Sequence, residues 1–498
     1  MRVIYGLFLI LLLQSICISP VQANDDAKES VVKIYTVFNR YNYHEPWQMM
    51  GQSTFQGSGS IIEGNKILTN AHVVSDQTFI QVRRGGKAKK YTAEVEAIAH
   101  ESDLAILSVK DDSFFSGVKP LKIGELPQVR DKVAVFGFPE GGDRLSITEG
   151  VVSRIEHTNY AHSGAYLLSC QIDASINSGS SGGPVIKDNQ IVGVAFQGLV
   201  GGLSSIGYMV PAPVIKHFLD DIKDGRHDGT PDLGISMQKM ENPDLRSNFL
   251  MTEEQTGILV NKVYPDSPAK DILKSEDVIL SIDSEGIEND GTVEFRKGER
   301  TFFAYLLQQK QVNDTVQLKI LRNGGQKVVD IKLTKAMDFE RLVPQRQYDI
   351  APTYYVTGGL IFEPLTLNYL MEFGAGNSWY YNAPTELLNY YVNGEPSDKQ
   401  RDIVILVKVL ADEINVGFHD SGNVVVAYVN GKKISTMKDL LSAFEEHKGE
   451  YYVVEDIRGY KIALKKENVK ASHQRILDKY KIKSDISKDL EQWQKAER

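Results

Sequence analysis

The sequence predicts a mainly-β chain of three units, an all-β double barrel followed by two small α+β modules. Three observations carry that prediction. Over residues 25–225, short apolar runs (VVKIYTVF, GSGSIIEGNKILT, TFIQVR, DKVAVFGF, LSITEGVVSRIEH, QIVGVAFQ) are separated by glycine and asparagine turns, the pattern of barrel strands. A polar, turn-rich stretch, DGRHDGTPD, interrupts the pattern at residues 224–232 and reads as a linker. Beyond it, strand runs mix with short helical patterns, once over 230–337 and again over 350–470.

Taken in order, the chain opens with Arg2, an apolar run over residues 3–13, and the ending Val21-Gln22-Ala23. This reads as a cleaved secretory signal over residues 1–23 and predicts a periplasmic or secreted protein. The alternative, a membrane anchor, would call for about 20 apolar residues. No later segment is apolar enough to span a bilayer. After cleavage one cysteine is left, Cys170, so no intrachain disulfide can form and the thiol reads as a small buried hydrophobe. A chain this long buries large cores without such staples. A net charge of −9 gives no support for nucleic-acid binding.

The barrel unit closes on a helix over 211–222, where Val214, Ile215, Phe218 and Ile222 recur at helical spacing. The second unit holds DLGISMQ, TGILVNKVYPDSPA and EDVILSIDSEGI, then a hairpin turning at Asn323-Gly324-Gly325. In the third, a strand meets an Asn430-Gly431 turn, and Met437, Leu440, Leu441 and Phe444 then share one helical face. Its parallel with the second unit suggests one module used twice. Residues 471–498 form a charged helical tail that packs one face on the third unit. The basic run Arg83, Arg84, Lys87, Lys89, Lys90 reads as a solvated hairpin. Asp412, Glu413, His419 and Asp420 lack metal-ligand spacing, so no metal is expected.

Three strings carry the chemistry: TNAHVV with His72, HESDLAIL with Asp103, and SGSSGGPVI with Ser181. A serine hydroxyl is a weak nucleophile at neutral pH and needs an imidazole to take its proton, the role of His72. Asp103 would hold the other ring nitrogen and fix the tautomer. Gly179 and Gly182 flank Ser181 so that the backbone can turn sharply. That turn would aim the N–H groups of Gly179 and Ser181 at a developing oxyanion. Separately, Leu233-Gly234-Ile235 has the form of a loop whose backbone N–H groups receive a peptide carboxylate beside a strand edge. Gly358-Gly359-Leu360-Ile361-Phe362 could be its counterpart, in apolar surroundings that favour a packing or oligomer contact.

On these motifs the first unit resembles the HtrA/Deg (protease Do-like) serine proteases, whose signature is a TNAHVV-type histidine, an SDLAIL-type aspartate and a GNSGGP-type serine. The second unit looks like their PDZ domain. ENPDLR, NDGTVEFRKGER and GGLIFEPLTLNYL are similar to the plant-type Deg subgroup, so the resemblance covers nearly the whole mature chain. The family usually has Asn where this chain has Ser180 and Pro where it has Ser178. Spacing to Gly182-Gly183-Pro184 assigns the nucleophile to Ser181 rather than Ser180.

The resemblance implies a chymotrypsin-like double β-barrel protease domain over 25–225, a PDZ domain over 230–337 and a diverged PDZ-like domain over 350–470. It implies an ATP-independent endopeptidase for unfolded or damaged proteins, without a cofactor. In this fold the residue six before the nucleophile, Ser175, lies at the base of the primary pocket, with Val194 and Phe196 near the other wall; these predict small or medium apolar side chains in it. Asp173 is expected to hydrogen-bond within its loop. Relatives build trimers from an aromatic N-terminal segment, which here would engage some of Tyr35, Phe38, Tyr41, Tyr43 and Trp47 and make a homo-oligomer, a trimer or a multiple of it. The rival reading is a non-catalytic chaperone or adaptor using the same domains. A third reading is a protease resting in an inactive state, whose glycine-rich loops at 138–145 and 197–206 order only when a peptide docks.

Overall fold

The structure, a computed structural model, describes residues 25–140, 142–199, 206–336, 341–397 and 400–497. The signal segment at 1–23 and most of the glycine-rich loop at 197–206 lie outside the described residues.

The first six strands close into a barrel in the order Val31–Phe38, Ser53–Ile62, Lys66–Thr69, Leu104–Ser108, Tyr91–Ala99, Gln77–Arg84. Alternation fills it: Val32, Ile34, Ile61, Ile67, Ile80, Val82 and Leu107 pack inward. Val31, Ile62, Leu68 and Ile106 face the other way, into a core shared with the next sheet. That sheet has seven strands, ordered Pro184–Lys187, Lys132–Gly137, Ser146–Asn159, Tyr166–Ile172, Ile206–Pro211, Gln190–Leu199, Lys122–Ile123. A further pairing of Pro184–Lys187 with Gln190–Leu199 brings it round on itself as a second barrel. Helix Ala212–Asp221 then buries Ile215 and Phe218. Cys170 is free and buried.

Two small α+β domains follow, as expected of PDZ domains. The first runs Ile235–Lys239, Ile258–Val263, Val278–Ile282, Thr315–Arg322, Gly325–Lys332 across its sheet. Asn323 and Gly324 both take positive φ (51° and 74°), as a tight hairpin turn requires. The second runs Tyr355–Thr357, Leu360–Pro364, Val404–Val409, Gly422–Val429, Tyr451–Asp456, Lys461–Lys465, and Asn430 and Gly431 repeat the same turn. Helix Met437–Glu445 buries Met437, Leu440, Leu441 and Phe444, the face its spacing predicts.

Residues 41–47 and the C-terminal helical region both serve the second of these domains. Helix Lys466–Lys479 contributes Val469, Ile476 and Leu477 to its cores, and Ile482 and Leu490 follow. Ile486 bridges to Tyr355, so the tail also extends the sheet. Of the five aromatics from which an interface between copies was expected to draw some, Tyr41, Tyr43 and Trp47 pack within this chain, Tyr43 among Leu342, Tyr354 and Tyr369. The Trp47 and Tyr354 rings meet edge to face 6.3 Å apart, and Lys408 pairs with Glu45 at 3.0 Å. Among the described residues no helix is long and apolar enough to cross a membrane, and no cluster of three or more metal-ligating side chains occurs.

Candidate active site

His72 sits on the short helix Ala71–Val74, which leaves the end of strand Lys66–Thr69. That helix can lie against the neighbouring strand because Gly57 has no side chain; a Cβ there would stand 2.5 Å from Val73. Asp103 lies in the turn ahead of Leu104–Ser108 with φ +53°, a left-handed position that aspartate tolerates. Its carboxylate is held twice by the same residue: Oδ1 accepts the His72 backbone N–H at 2.9 Å, and Oδ2 lies 2.7 Å from His72 Nδ1. Asn70 Nδ2 donates to the Asp103 carbonyl at 2.8 Å. Burial alone would raise the Asp103 carboxyl, but the charge and hydrogen bonds of His72 outweigh it and hold it below the usual carboxylate range. The imidazole is therefore fixed with Nδ1 toward the carboxylate. Asp103 is 1% exposed while His72 stays 22% exposed.

The Ser181 segment comes to this dyad through Ser58. The Ser58 N–H donates to the Ser181 carbonyl (2.8 Å), and its hydroxyl accepts from the Phe138 N–H (2.8 Å) and donates to the Gly179 carbonyl (2.8 Å). Its own carbonyl accepts from Thr69 Oγ1 at 2.7 Å, three residues ahead of His72. One residue thus joins the histidine strand of the first barrel to the serine turn of the second. Its only trace in the sequence is the G-S-G-S run, a hint of close backbone approach within a strand.

Glycine is required at two positions of that turn. Gly179 has φ +90° and a Cβ there would stand 2.5 Å from the Phe138 carbonyl oxygen. Gly182 has φ +82°, with the Ser58 oxygen 2.1 Å and Thr69 Oγ1 2.2 Å from where its Cβ would be. Of the adjacent serines, Ser180 is buried and packed so tightly on Gly137 that a Cβ on that glycine would meet its Cα at 2.9 Å. Ser181 is half-buried and keeps an accessible face. Among the described residues its hydroxyl makes no direct hydrogen bond with His72, and neither its N–H nor that of Gly179 is spent on a backbone carbonyl. Catalytic hydrogen bonds commonly tighten only when substrate is bound.

The remaining sequence-predicted residues scatter. Ser175 is half-buried and its carbonyl accepts from Thr148 Oγ1 at 3.0 Å. Val194 and Phe196 are not brought to an open wall: both lie inside the barrel core, with the Phe196 ring 4.6 Å from that of Tyr160. Alternation along Gln190–Leu199 turns both side chains inward. Asp173 Oδ1 accepts the Val151 N–H at 2.6 Å. In the first PDZ domain Leu233 is wholly buried, Ile235 lines a cavity of about 620 Å³, and the Gly234 N–H already donates to Asp232 Oδ1 at 2.7 Å. Missed altogether were His100, His162 and Tyr348. The His162 ring lies 6.1 Å from that of His72, and burial pushes its pKa down to about 3.

The chain is similar to known proteins over most of its length. Residues 57–194 match the trypsin-like peptidase domain family, and residues 231–333 and 343–489 each match a PDZ domain family. Protease Do-like 4, mitochondrial, of Arabidopsis thaliana is 41% identical over 471 residues, covering 94% of this chain and 87% of its own. Protease Do-like 2, chloroplastic, of the same plant is 39% identical over 464 residues, covering 93% and 75%. Among solved structures, the HtrA-type protease AlgW with decapeptide superposes with a TM-score of 0.48 at 22% identity, over 62% of this chain and 96% of that one. The relatives' mitochondrial and chloroplastic addresses overturn the expectation of a periplasmic or secreted protein. Residues 1–23 carry a charge and an apolar run, features too general to tell one destination from another. Identity of 41% sustained over 94% of the chain, on a double barrel followed by two PDZ domains, places it in the HtrA/Deg (Do-like) family as a serine endopeptidase.

Proposed function

We propose that the chain cleaves unfolded or damaged proteins by an acyl-enzyme route, without ATP, in an organelle such as its relatives' names give. The observation that carries this is the His72–Asp103 pair, 2.7 Å apart with the carboxylate buried and the imidazole accessible. Ser181 Oγ attacks the scissile carbonyl while His72 Nε2 takes its proton, and the imidazolium then protonates the leaving amine. Asp103 holds Nδ1–H and stabilises the positive ring. The N–H groups of Gly179 and Ser181 receive the oxyanion, each such donor being worth about 3–4 kcal/mol of barrier. Water then attacks the ester on Ser181, with His72 as base again. The first PDZ domain presents peptide through its free edge strand, Ile235–Lys239.

The test is labelling of the full chain with a fluorophosphonate, together with casein hydrolysis. Wild type should react and Ser181→Ala should not, with casein turnover falling by about 10⁵-fold or more, because members of such a triad act as a unit. Ser180→Ala should stay labelled. Retained cleavage by Ser181→Ala, or a wild type that holds unfolded casein without labelling, would replace this reading by the chaperone one.

A further inference from the structure

A short segment ahead of the first strand of the second PDZ domain clamps the catalytic dyad from outside the barrels. Asp349 and Asp76 exchange backbone contacts: the Asp76 N–H donates to Asp349 Oδ1 (2.6 Å) and the Asp349 N–H donates to Asp76 Oδ1 (2.9 Å). Asp76 stands four residues after His72, just past the end of the helix that carries it. The other carboxylate oxygen of Asp349 lies 2.9 Å from His100 Nε2. His100 in turn opens the turn that ends in Asp103, accepting the Asp103 N–H on its carbonyl at 3.2 Å. One carboxylate therefore spans the histidine helix and the aspartate turn.

The clamp has a second contact. His100 Nδ1 meets His162 Nε2 at 3.0 Å. Tyr348 lies over both rings, 4.9 Å from His100 and 4.0 Å from His162, at interplanar angles of 21° and 25°. Its hydroxyl donates to the His162 carbonyl at 2.8 Å, and Arg346 covers its outer side 4.8 Å from the ring centroid. His100 Nε2–H donates to the Asp349 carboxylate, which leaves Nδ1 of the neutral ring to accept the His162 Nε2–H. The stack ends 6.1 Å from the His72 ring.

We infer that Asp349 is a positioning residue for the catalytic dyad, fixing His72 and Asp103 relative to each other through Asp76 and His100. This rests on the catalytic reading above and deepens it. The segment continues directly into the first strand of the second PDZ domain, which begins at Tyr355, so the docking of that domain and the alignment of the dyad become one event. Small misplacements of a reacting group are expensive: about 1 Å can cost on the order of 100-fold in rate.

The experiment uses full-length Asp349→Ala and Asp349→Asn. The asparagine keeps an acceptor for the Asp76 N–H and a polar partner for His100, so it should behave as wild type. The alanine should lower kcat for a peptide substrate about tenfold, with KM within about twofold, since the groups that bind peptide are untouched. The far-downfield proton resonance of His72 Nδ1–H should broaden or vanish in Asp349→Ala and return in Asp349→Asn. An alanine variant with wild-type kcat and an unchanged resonance overturns the inference, as does a change confined to KM. A wild type inert to fluorophosphonate would sink the catalytic reading instead, while the resonance would still report whether Asp349 orders the dyad.

Discussion

The two PDZ domains share a topology and treat the same strand in opposite ways. In the first, Ile235–Lys239 is an edge strand: it pairs with Ile258–Val263 on one side and, among the described residues, with no strand on the other. In the second, the corresponding strand Leu360–Pro364 is sandwiched between Tyr355–Thr357 and Val404–Val409. The loop before it is sealed as well. A Cβ on Gly358 would stand 2.7 Å from Leu464 and 3.2 Å from Val469, and Asn415 Nδ2 donates to the Gly358 carbonyl at 2.9 Å. A free strand edge is a binding template and a covered one is core. On the proposed reading the first domain receives the peptide, while the second has spent the equivalent surface on its own chain and on holding the segment that reaches the dyad.

The largest effect should come from breaking that seal. Ile476 is buried on the tail helix, in the cluster with Tyr354, Ile405 and Leu477. Ile476→Ala should destabilise the second domain by about 2–5 kcal/mol, the usual range for such a cavity. Hydrogen exchange resolved by segment should show Leu360–Pro364 opening while Ile235–Lys239 keeps its protection. Equal loss in both domains would mean that they fold as one unit and that the contrast is only geometric.

The seam between the barrels and the first domain gives a pH handle. His157, on Ser146–Asn159, is buried with Nε2–H donating to Gln308 Oε1 (3.0 Å) and Nδ1 accepting from Thr301 Oγ1 (2.8 Å). Gln308 is oriented by its own bond to the Tyr166 carbonyl. Desolvation, only partly opposed by the Gln308 bond, pushes the His157 pKa down to about 4. With a lowered folded pKa, the unfolded or undocked chain binds the extra proton first. The contribution is thus whole above about pH 6.5 and is lost as pH falls toward 4, by about 3 kcal/mol in all. Thermal unfolding followed across that window should show a loss that His157→Gln largely removes. An identical loss in the glutamine variant would point to other groups.

Much of this plan was legible locally. The Asn-Gly turns and the helical face of Met437, Leu440, Leu441 and Phe444 are short-range patterns, and each lands where its period or spacing puts it; of the three motif strings, those of His72 and Asp103 meet directly. What the sequence concealed is long-range. Nothing near Tyr43 says that its partners are Leu342 and Tyr354, and nothing near His100 says that a carboxylate 249 residues away will reach it. Val194 and Phe196 fit the expected pocket by chain position, but position does not say which face of a strand a barrel closes over. Asp232 was hidden for another reason. Its neighbours Leu233, Gly234 and Ile235 carry the loop's outline, and nothing in their pattern says that the preceding side chain occupies the loop.

That occupancy gives the subtlest test of the contrast between the domains. The Asp232 carboxylate accepts the Gly234 N–H, so the protein supplies from within the group that a peptide terminus would bring. Burial raises the Asp232 carboxyl, with the Gly234 and Leu233 N–H groups partly opposing, which marks the carboxylate as a costly occupant that a better one can displace. Removing it should free the loop: Asp232→Ala should bind peptides ending in an apolar residue and a free carboxylate about tenfold more tightly, as one hydrogen bond to a charged group is worth about 1.5–3 kcal/mol. Fluorescence polarisation with such a peptide and its C-terminal amide separates the causes, because only the carboxylate form should gain. The amide gaining equally would mean that Asp232 acts by repulsion across the cavity rather than by filling the loop. In the second domain, where the strand edge and the loop are both taken, no substitution confined to one side chain should create binding of either peptide.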